Sequence, residues 1–192
     1  MTARFSAPSE SWLRGARVMA DAYSLVKAAL LRYERARVLR ELGVEPVLYV
    51  TEVAGGSRGR GSGAEAGREV HREIWGLDPE AILSIEEVSL PLPLAWRFRF
   101  GWLLGVADLV TFRNALPVEV MEVKSYEAIK SYEVAQASLY GLLVALNFAT
   151  RPRVYVVTPR GKVEVSDWES LALQALRSAA HPAAKHSLGR RA

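Results

Sequence analysis

Asp108 lies within Leu103-Leu104-Gly105-Val106-Ala107-Asp108-Leu109-Val110, and Glu122 and Lys124 lie within Val118-Glu119-Val120-Met121-Glu122-Val123-Lys124. Charges inside such apolar runs need partners or chemistry. Side chains alternate along a strand, so Glu122 and Lys124 share one face, roughly 6.5 to 7 Å apart along the chain. Met121 and Val123 share the other face with Glu119. Asp108 and Glu122 each stand seven residues from Ala115. A three-residue loop centred there sets the two carboxylates opposite each other on one face, and a two-residue loop at Asn114-Ala115 sets them on opposite faces. Opposed carboxylates repel, so a cation between them is the economical reason to keep the pair. Oxygen ligands of this kind suit Mg²⁺ or Mn²⁺, and Lys124 beside them is placed to orient or deprotonate a water attacking a phosphodiester. A metal's charge would also lower the lysine pKa. An exposed edge hairpin with an ordinary cross-strand salt bridge fits the same spacing.

The elements that must position these residues follow from periodicity. The apolar residues Val18, Met19, Ala22, Leu25, Val26, Ala29, Leu30 and Tyr33 predict a helix from Ser11 to Leu42, with Gly43 as its stop. Val47 to Val53 reads as a strand, and Ala54 to Gly63 as a mobile glycine-rich loop carrying Arg58 and Arg60. Ala64 to Trp75 has a helical pattern and Ile82 to Val88 a strand pattern. Pro91 and Pro93 mark an irregular connection, and Trp96 to Phe100 a short strand. Val106 to Phe112 and Val118 to Val123 form a hairpin about Asn114. Tyr126 to Asn147 is the next helix, with Ser125 or Ser131 as N-cap. Arg153 to Val157 and Val163 to Val165 pair across Pro159-Arg160-Gly161. Ser166 and Glu169 have capping-box spacing for a last helix through about Ala180. Residues 1 to 180 are expected to form a single domain with an N-terminal helix, and residues 181 to 192 a disordered basic tail.

Composition bounds the function. The chain of 192 residues is 50% hydrophobic and 24% charged, as in globular proteins. It has no cysteine, which excludes disulfides, thiolate zinc sites, an iron–sulfur cluster and a cysteine nucleophile. The formal charge of +4 permits a polyanionic partner. Val134 to Thr150 is free of charge but too short and polar to span a bilayer, and no apolar leader follows Met1, so the expected location is the cytoplasm, away from membranes. Gly55-Gly56-Ser57-Arg58-Gly59 matches the nucleophile elbow by letter, and Gly59 to Ala64 the dinucleotide fingerprint. Neither has its required setting, because further glycines follow the first and the second begins well past the strand.

Asp108 followed fourteen residues later by Glu122-Val123-Lys124 resembles the D…(D/E)-x-K signature of the PD-(D/E)XK nuclease superfamily. Gln136-Ala137-Ser138-Leu139-Tyr140 resembles the Q-x-x-x-Y motif of its RecB-like branch, and His71 that branch's motif-one histidine. Within the branch the chain is most similar to compact CRISPR-associated exonucleases, departing from them in lacking the four cluster-binding cysteines. The resemblance implies an α/β fold of the restriction-endonuclease-like kind, a mixed central sheet flanked by helices. It implies metal ligation by His71, Asp108, Glu122 and the Val123 carbonyl, with Asp108, Glu122 and Lys124 as the catalytic set. Gln136 and Tyr140, on one helical face, would steady the lysine or contact the DNA backbone, and Arg58 and Arg60 would engage phosphates. The activity implied is Mg²⁺- or Mn²⁺-dependent DNA cleavage, as an exonuclease on single-stranded ends in CRISPR adaptation or DNA repair. A non-catalytic nucleic-acid-binding or assembly subunit and a Holliday-junction resolvase or restriction endonuclease are the alternatives. Partners to look for are single-stranded DNA, a second copy of the chain, or CRISPR adaptation proteins.

Overall fold

The structure, a computed structural model, describes residues 10–55 and 87–187. It is a mixed α/β fold of restriction-endonuclease-like layout, with a six-stranded mixed sheet flanked by helices. In chain order the elements are α1 (Glu10–Leu42), β1 (Val47–Tyr49), α2 (Val50–Val53), β2 (Glu87–Phe98), β3 (Gly101–Arg113), β4 (Leu116–Val123), α3 (Ser131–Phe148), β5 (Arg153–Thr158), β6 (Gly161–Glu164) and α4 (Trp168–Ser187).

The long first helix forms where periodicity predicts it, and Val26, Ala29, Tyr33 and Ala36 are its buried stripe. It stops because Gly43 takes a positive φ of 65°. The Gly43 amide then reaches the Arg40 carbonyl and the Val44 amide the Leu39 carbonyl, the two bonds of a Schellman ending. The main core joins Val26 and Ala29 to Leu103, Ala107, Val110 and Phe112 of β3, Val120 of β4, and Ala137, Tyr140, Leu143 and Val144 of α3, while Tyr33 and Ala36 pack in a second cluster with Val47, Ala95, Trp102 and Leu104.

β3 is the organising strand. Antiparallel β2 lines one edge of it from Gly101 to Arg113. The other edge is shared, with parallel β1 against Trp102 to Leu104 and antiparallel β4 against Leu109 to Arg113. β5 adds to β4 in parallel, as the crossover through α3 requires, and β6 closes the sheet.

Several expectations are corrected. The strand expected over Val47 to Val53 ends at Tyr49, because the Glu52 carboxylate turns back to accept the Tyr49 amide at 2.9 Å and starts a helical turn. Pro91 and Pro93 lie inside β2. They are tolerated because β2 pairs only with β3 among the described residues, so its other side needs no ladder donors. Trp96 to Phe98 continues the same strand. The helix expected from Tyr126 begins at Ser131. Its N-cap is Lys130, neither Ser125 nor Ser131, and the Glu133 carboxylate accepts the Lys130 amide at 2.8 Å. The last helix begins at Trp168 and runs to Ser187, through the first part of the stretch expected to be without structure. Glu169 does not return to Ser166, because Arg151 holds its carboxylate. Residues 56 to 86, with the expected basic loop, helix and most of the following strand, lie outside the described residues.

Candidate metal and phosphodiester site

The β3–β4 turn is the two-residue one, Asn114-Ala115, closing on the pair Arg113–Leu116. Both turn residues have positive φ, 50° and 63°, as a type I′ hairpin demands. That turn alone would send the carboxylates to opposite faces. It does not, because β4 carries an extra residue: the pairing steps from Phe112–Pro117 to Thr111–Glu119, with Val118 as a bulge. From there the register runs Val110–Val120 and Leu109–Met121, and its continuation faces Asp108 with Glu122. The expected convergence is reached, by a two-residue turn and a bulge in place of a three-residue loop.

A second irregularity falls on Asp108 itself. Between the pairs Leu90–Val110 and Leu92–Ala107, β3 has one residue more than β2. Alternation breaks at Asp108 and Leu109, so the residues of β3 that face the main core are odd-numbered up to Ala107 and even-numbered from Val110, with Trp102 and Leu104 in the second cluster. Bulges re-aim side chains in this way. The Asp108 carboxylate accepts the Val123 amide at 2.8 Å, across the strand pair.

Glu122 is 1% exposed, and one of its oxygens receives the Lys124 ammonium at 2.6 Å. The other, Oε2, is buried with no hydrogen-bond partner. Burial, then the nearby Asp108, pushes the Glu122 carboxyl up from its ordinary value to about 8. Burial also raises Asp108, against the pull of the Val123 amide and Lys124. For Lys124, burial favours the neutral amine, but the Glu122 carboxylate outweighs it and the net shift is upward. The set therefore holds the Lys124 ammonium against a Glu122 carboxyl that keeps its proton well above the ordinary carboxylate range, with Asp108 raised beside it. In this arrangement Lys124 is a positioned cation; the lowering expected of it belongs to a bound metal's charge.

An orphaned carboxylate oxygen beside a second carboxylate is a donor set that a hard divalent cation fits. Asp108, Glu122 and the Val123 carbonyl are the described residues that would hold one. His71, the remaining ligand implied by the resemblance, lies outside the described residues, as do Arg58 and Arg60. Among the described residues no group of three or more His, Cys, Asp or Glu converges.

Tyr140 is buried above this pair. Burial, then the charges of Glu122 and Asp108, holds its phenol well above the ordinary tyrosine range, with the Gln136 side chain pulling the other way. Tyr140 is also ordinary core. Its position depends on Gly105, where a Cβ would stand 2.9 Å from both Cε1 and Oη of the ring. Glu133, fully buried at the start of α3, accepts the Tyr126 hydroxyl as well as the Lys130 amide and adds to the field that keeps Lys124 charged. Sequence reasoning missed Gly105 and Glu133. The signal for Glu133 was an acid three residues past Lys130, just ahead of an apolar helix, which is the N3 place of a cap.

No family model and no curated protein matches the chain. Among solved structures, that of SSO0001 is similar over 77% of this chain and 84% of its own, at 16% identity and a TM-score of 0.31, a likeness that carries no argument about fold or function. No described helix is long and apolar enough to cross a membrane.

Proposed function

We propose that this chain is a metal-dependent deoxyribonuclease of the PD-(D/E)XK type, acting as an exonuclease on single-stranded ends. The observation that carries the proposal is the unpartnered, buried Glu122 Oε2 next to Asp108, with Lys124 against the same carboxylate. Two carboxylates held side by side repel unless a cation lies between them, and replacing a buried charge pair by apolar residues is often neutral or stabilising. A bound Mg²⁺ or Mn²⁺ would act as a Lewis acid on the scissile phosphate and lower the pKa of water. Asp108, Glu122 and the Val123 carbonyl would bind it, with His71 implied as a further ligand. The Lys124 ammonium orients the attacking water and steadies charge on the phosphate, and Tyr140 with Gln136 closes the site on the α3 side. Excluding bulk water at Glu122 strengthens each of these interactions.

The test is degradation of end-labelled single-stranded DNA with Mn²⁺, Mg²⁺ or EDTA. Cleavage with metal, lost in Asp108→Ala and Lys124→Ala, is the expected result; equal residual cleavage in both variants identifies a contaminant and ends the proposal. One observation favours a second reading, a binding or assembly subunit on a nuclease scaffold: the Lys124 ammonium lies 2.6 Å from a Glu122 oxygen, where it can satisfy that carboxyl in place of a metal. Binding of DNA in EDTA with no cleavage after Mn²⁺ selects it. Preference for four-way junctions or duplex sites over single strands instead selects a resolvase or restriction enzyme. A role in CRISPR adaptation or DNA repair, inside the cell and with other chains, follows from the resemblance alone.

A further inference from the structure

Six residues back along β3 from Asp108, about 20 Å at strand rise, Trp102 contributes to a groove of about 370 Å³ between α1 and the β2–β3 end. Its lining is Leu31, Arg32, Arg35, Trp96, Arg97 and Trp102, with no acidic residue. Trp102 is 5% exposed and belongs to the core, so the open part of the groove is the half-buried Trp96 indole with the exposed Arg35 and Arg97 beside it, a combination that suits something planar and anionic. The parts are held in place. Arg32 donates to Asn147 Oδ1 at 3.0 Å and lies 4.9 Å from the centre of the Trp96 ring. Asn147 is itself buried and tied to the Ala95 and Leu143 carbonyls at 3.2 and 2.8 Å. On the other wall Glu45, outside the lining, accepts both Arg97 Nε at 3.1 Å and Trp102 Nε1 at 3.0 Å. One carboxylate against three guanidiniums leaves the groove net positive. Arg35 is exposed, and its charge helps Arg97 hold the Glu45 carboxyl below its ordinary value.

We infer that this groove is a second binding site, for single-stranded nucleic acid, with bases stacked at Trp96 and phosphates on Arg35 and Arg97. The occupant follows from the pairing of chemistries. Aromatic rings beside arginines suit a flexible strand of alternating flat bases and phosphates, whereas an acidic peptide would use the arginines and leave Trp96 idle. A duplex presents its bases stacked on each other and would use the arginines alone. The substrate class rests on the nuclease reading, and the groove would hold a strand upstream or downstream of the carboxylates. Its test is a binding test, independent of cleavage.

The experiment is fluorescence anisotropy of a labelled oligo(dT) of about 16 nucleotides, the upper end of common single-strand site sizes, with the full chain in EDTA. Tight binding is expected. Arg35→Glu, at an exposed position, should weaken it about tenfold, and Arg35→Ala should lower the slope of log affinity against log salt by about 0.7, the value for one phosphate contact on a single strand. Trp96→Ala should weaken binding by about fivefold or more, with Trp96→Phe restoring most of it. Unchanged affinity and salt slope in the Arg35 variants overturn the inference, as does equal competition by polyglutamate or by duplex DNA of the same length. Cleavage by the parent separates the two ideas. If the groove variants lose binding as expected but the parent never cuts with Mn²⁺, the nuclease reading fails and the groove stands; if the parent cuts while the groove variants bind normally, the groove fails alone.

Discussion

Replacing Glu122 by glutamine should make the protein more stable while abolishing cleavage. Burial and Asp108 raise this carboxyl from 4.5 to about 8, so between those values the folded chain binds more protons than the unfolded one. Its contribution to stability is complete below about pH 4.5 and declines as pH rises, by about 1.4 kcal/mol per unit, until about pH 8. At pH 7 the loss is on the order of 3 kcal/mol, and glutamine, which does not ionise, avoids it. Lys124, 17% exposed in its side chain, exchanges a partly ionised carboxyl for an amide as its acceptor in the variant, which takes back about 1 kcal/mol. The net gain of about 2 kcal/mol at pH 7 corresponds to a rise of roughly 4–8 °C in Tm for a chain of this size. Thermal and urea denaturation in EDTA across pH 5 to 8 measures it. The gap between Glu122→Gln and the parent should be close to zero at the acid end and widest at the alkaline end. A gap that does not change with pH, or a variant less stable than the parent at the alkaline end, would refute the reasoning. Mn²⁺ should raise the Tm of the parent and leave that of the variant where it was.

Because one carboxyl of the pair keeps a proton near neutrality, metal binding should release about one proton, read by calorimetry in buffers of different ionisation enthalpy; no buffer dependence would mean both carboxylates are already ionised. Gly105→Ala places a methyl 2.9 Å from the Tyr140 ring, and should cost about 1–3 kcal/mol in urea denaturation and reduce cleavage by displacing Tyr140. Ala149 ends α3 in the left-handed region at φ 53°, exposed to solvent, so Ala149→Gly should stabilise the protein by about 1 kcal/mol in the same assay. Glu133→Ala strips the acceptor from the Lys130 amide and the Tyr126 hydroxyl and should destabilise by about 1–3 kcal/mol; a smaller effect would mean that water replaces the carboxylate.

What the sequence discloses is what periodicity and local chemistry encode. The α1 stripe, the two arms of the β3–β4 hairpin and the Pro159-Arg160 turn are legible because their residues repeat at the period of the element or fix its turn. The three chemically suspect residues are legible for a different reason: a charge in an apolar run is anomalous wherever it falls. Less accessible is anything decided by which neighbour wins a contested group. Glu52 and Glu133 each capture a backbone amide and so move an element boundary, and Arg151 takes Glu169 from its cap. Pro91 and Pro93 read as breakers because one chain segment cannot announce that it lies at a sheet edge. The side-by-side placement of Asp108 and Glu122 was reachable only as a pair of alternatives, since a one-residue bulge at Val118 has no marker in the letters around it.

That bulge has a consequence for how the hairpin tolerates change. Deleting Val118 would leave Thr111 across from Glu119 and Arg113 across from Leu116, so both ends of the ladder keep their partners. The closed end and the charged end of the hairpin are thus mechanically uncoupled, with one spare residue between them acting as slack. Tip length can drift in relatives of this chain without carrying the carboxylates out of alignment.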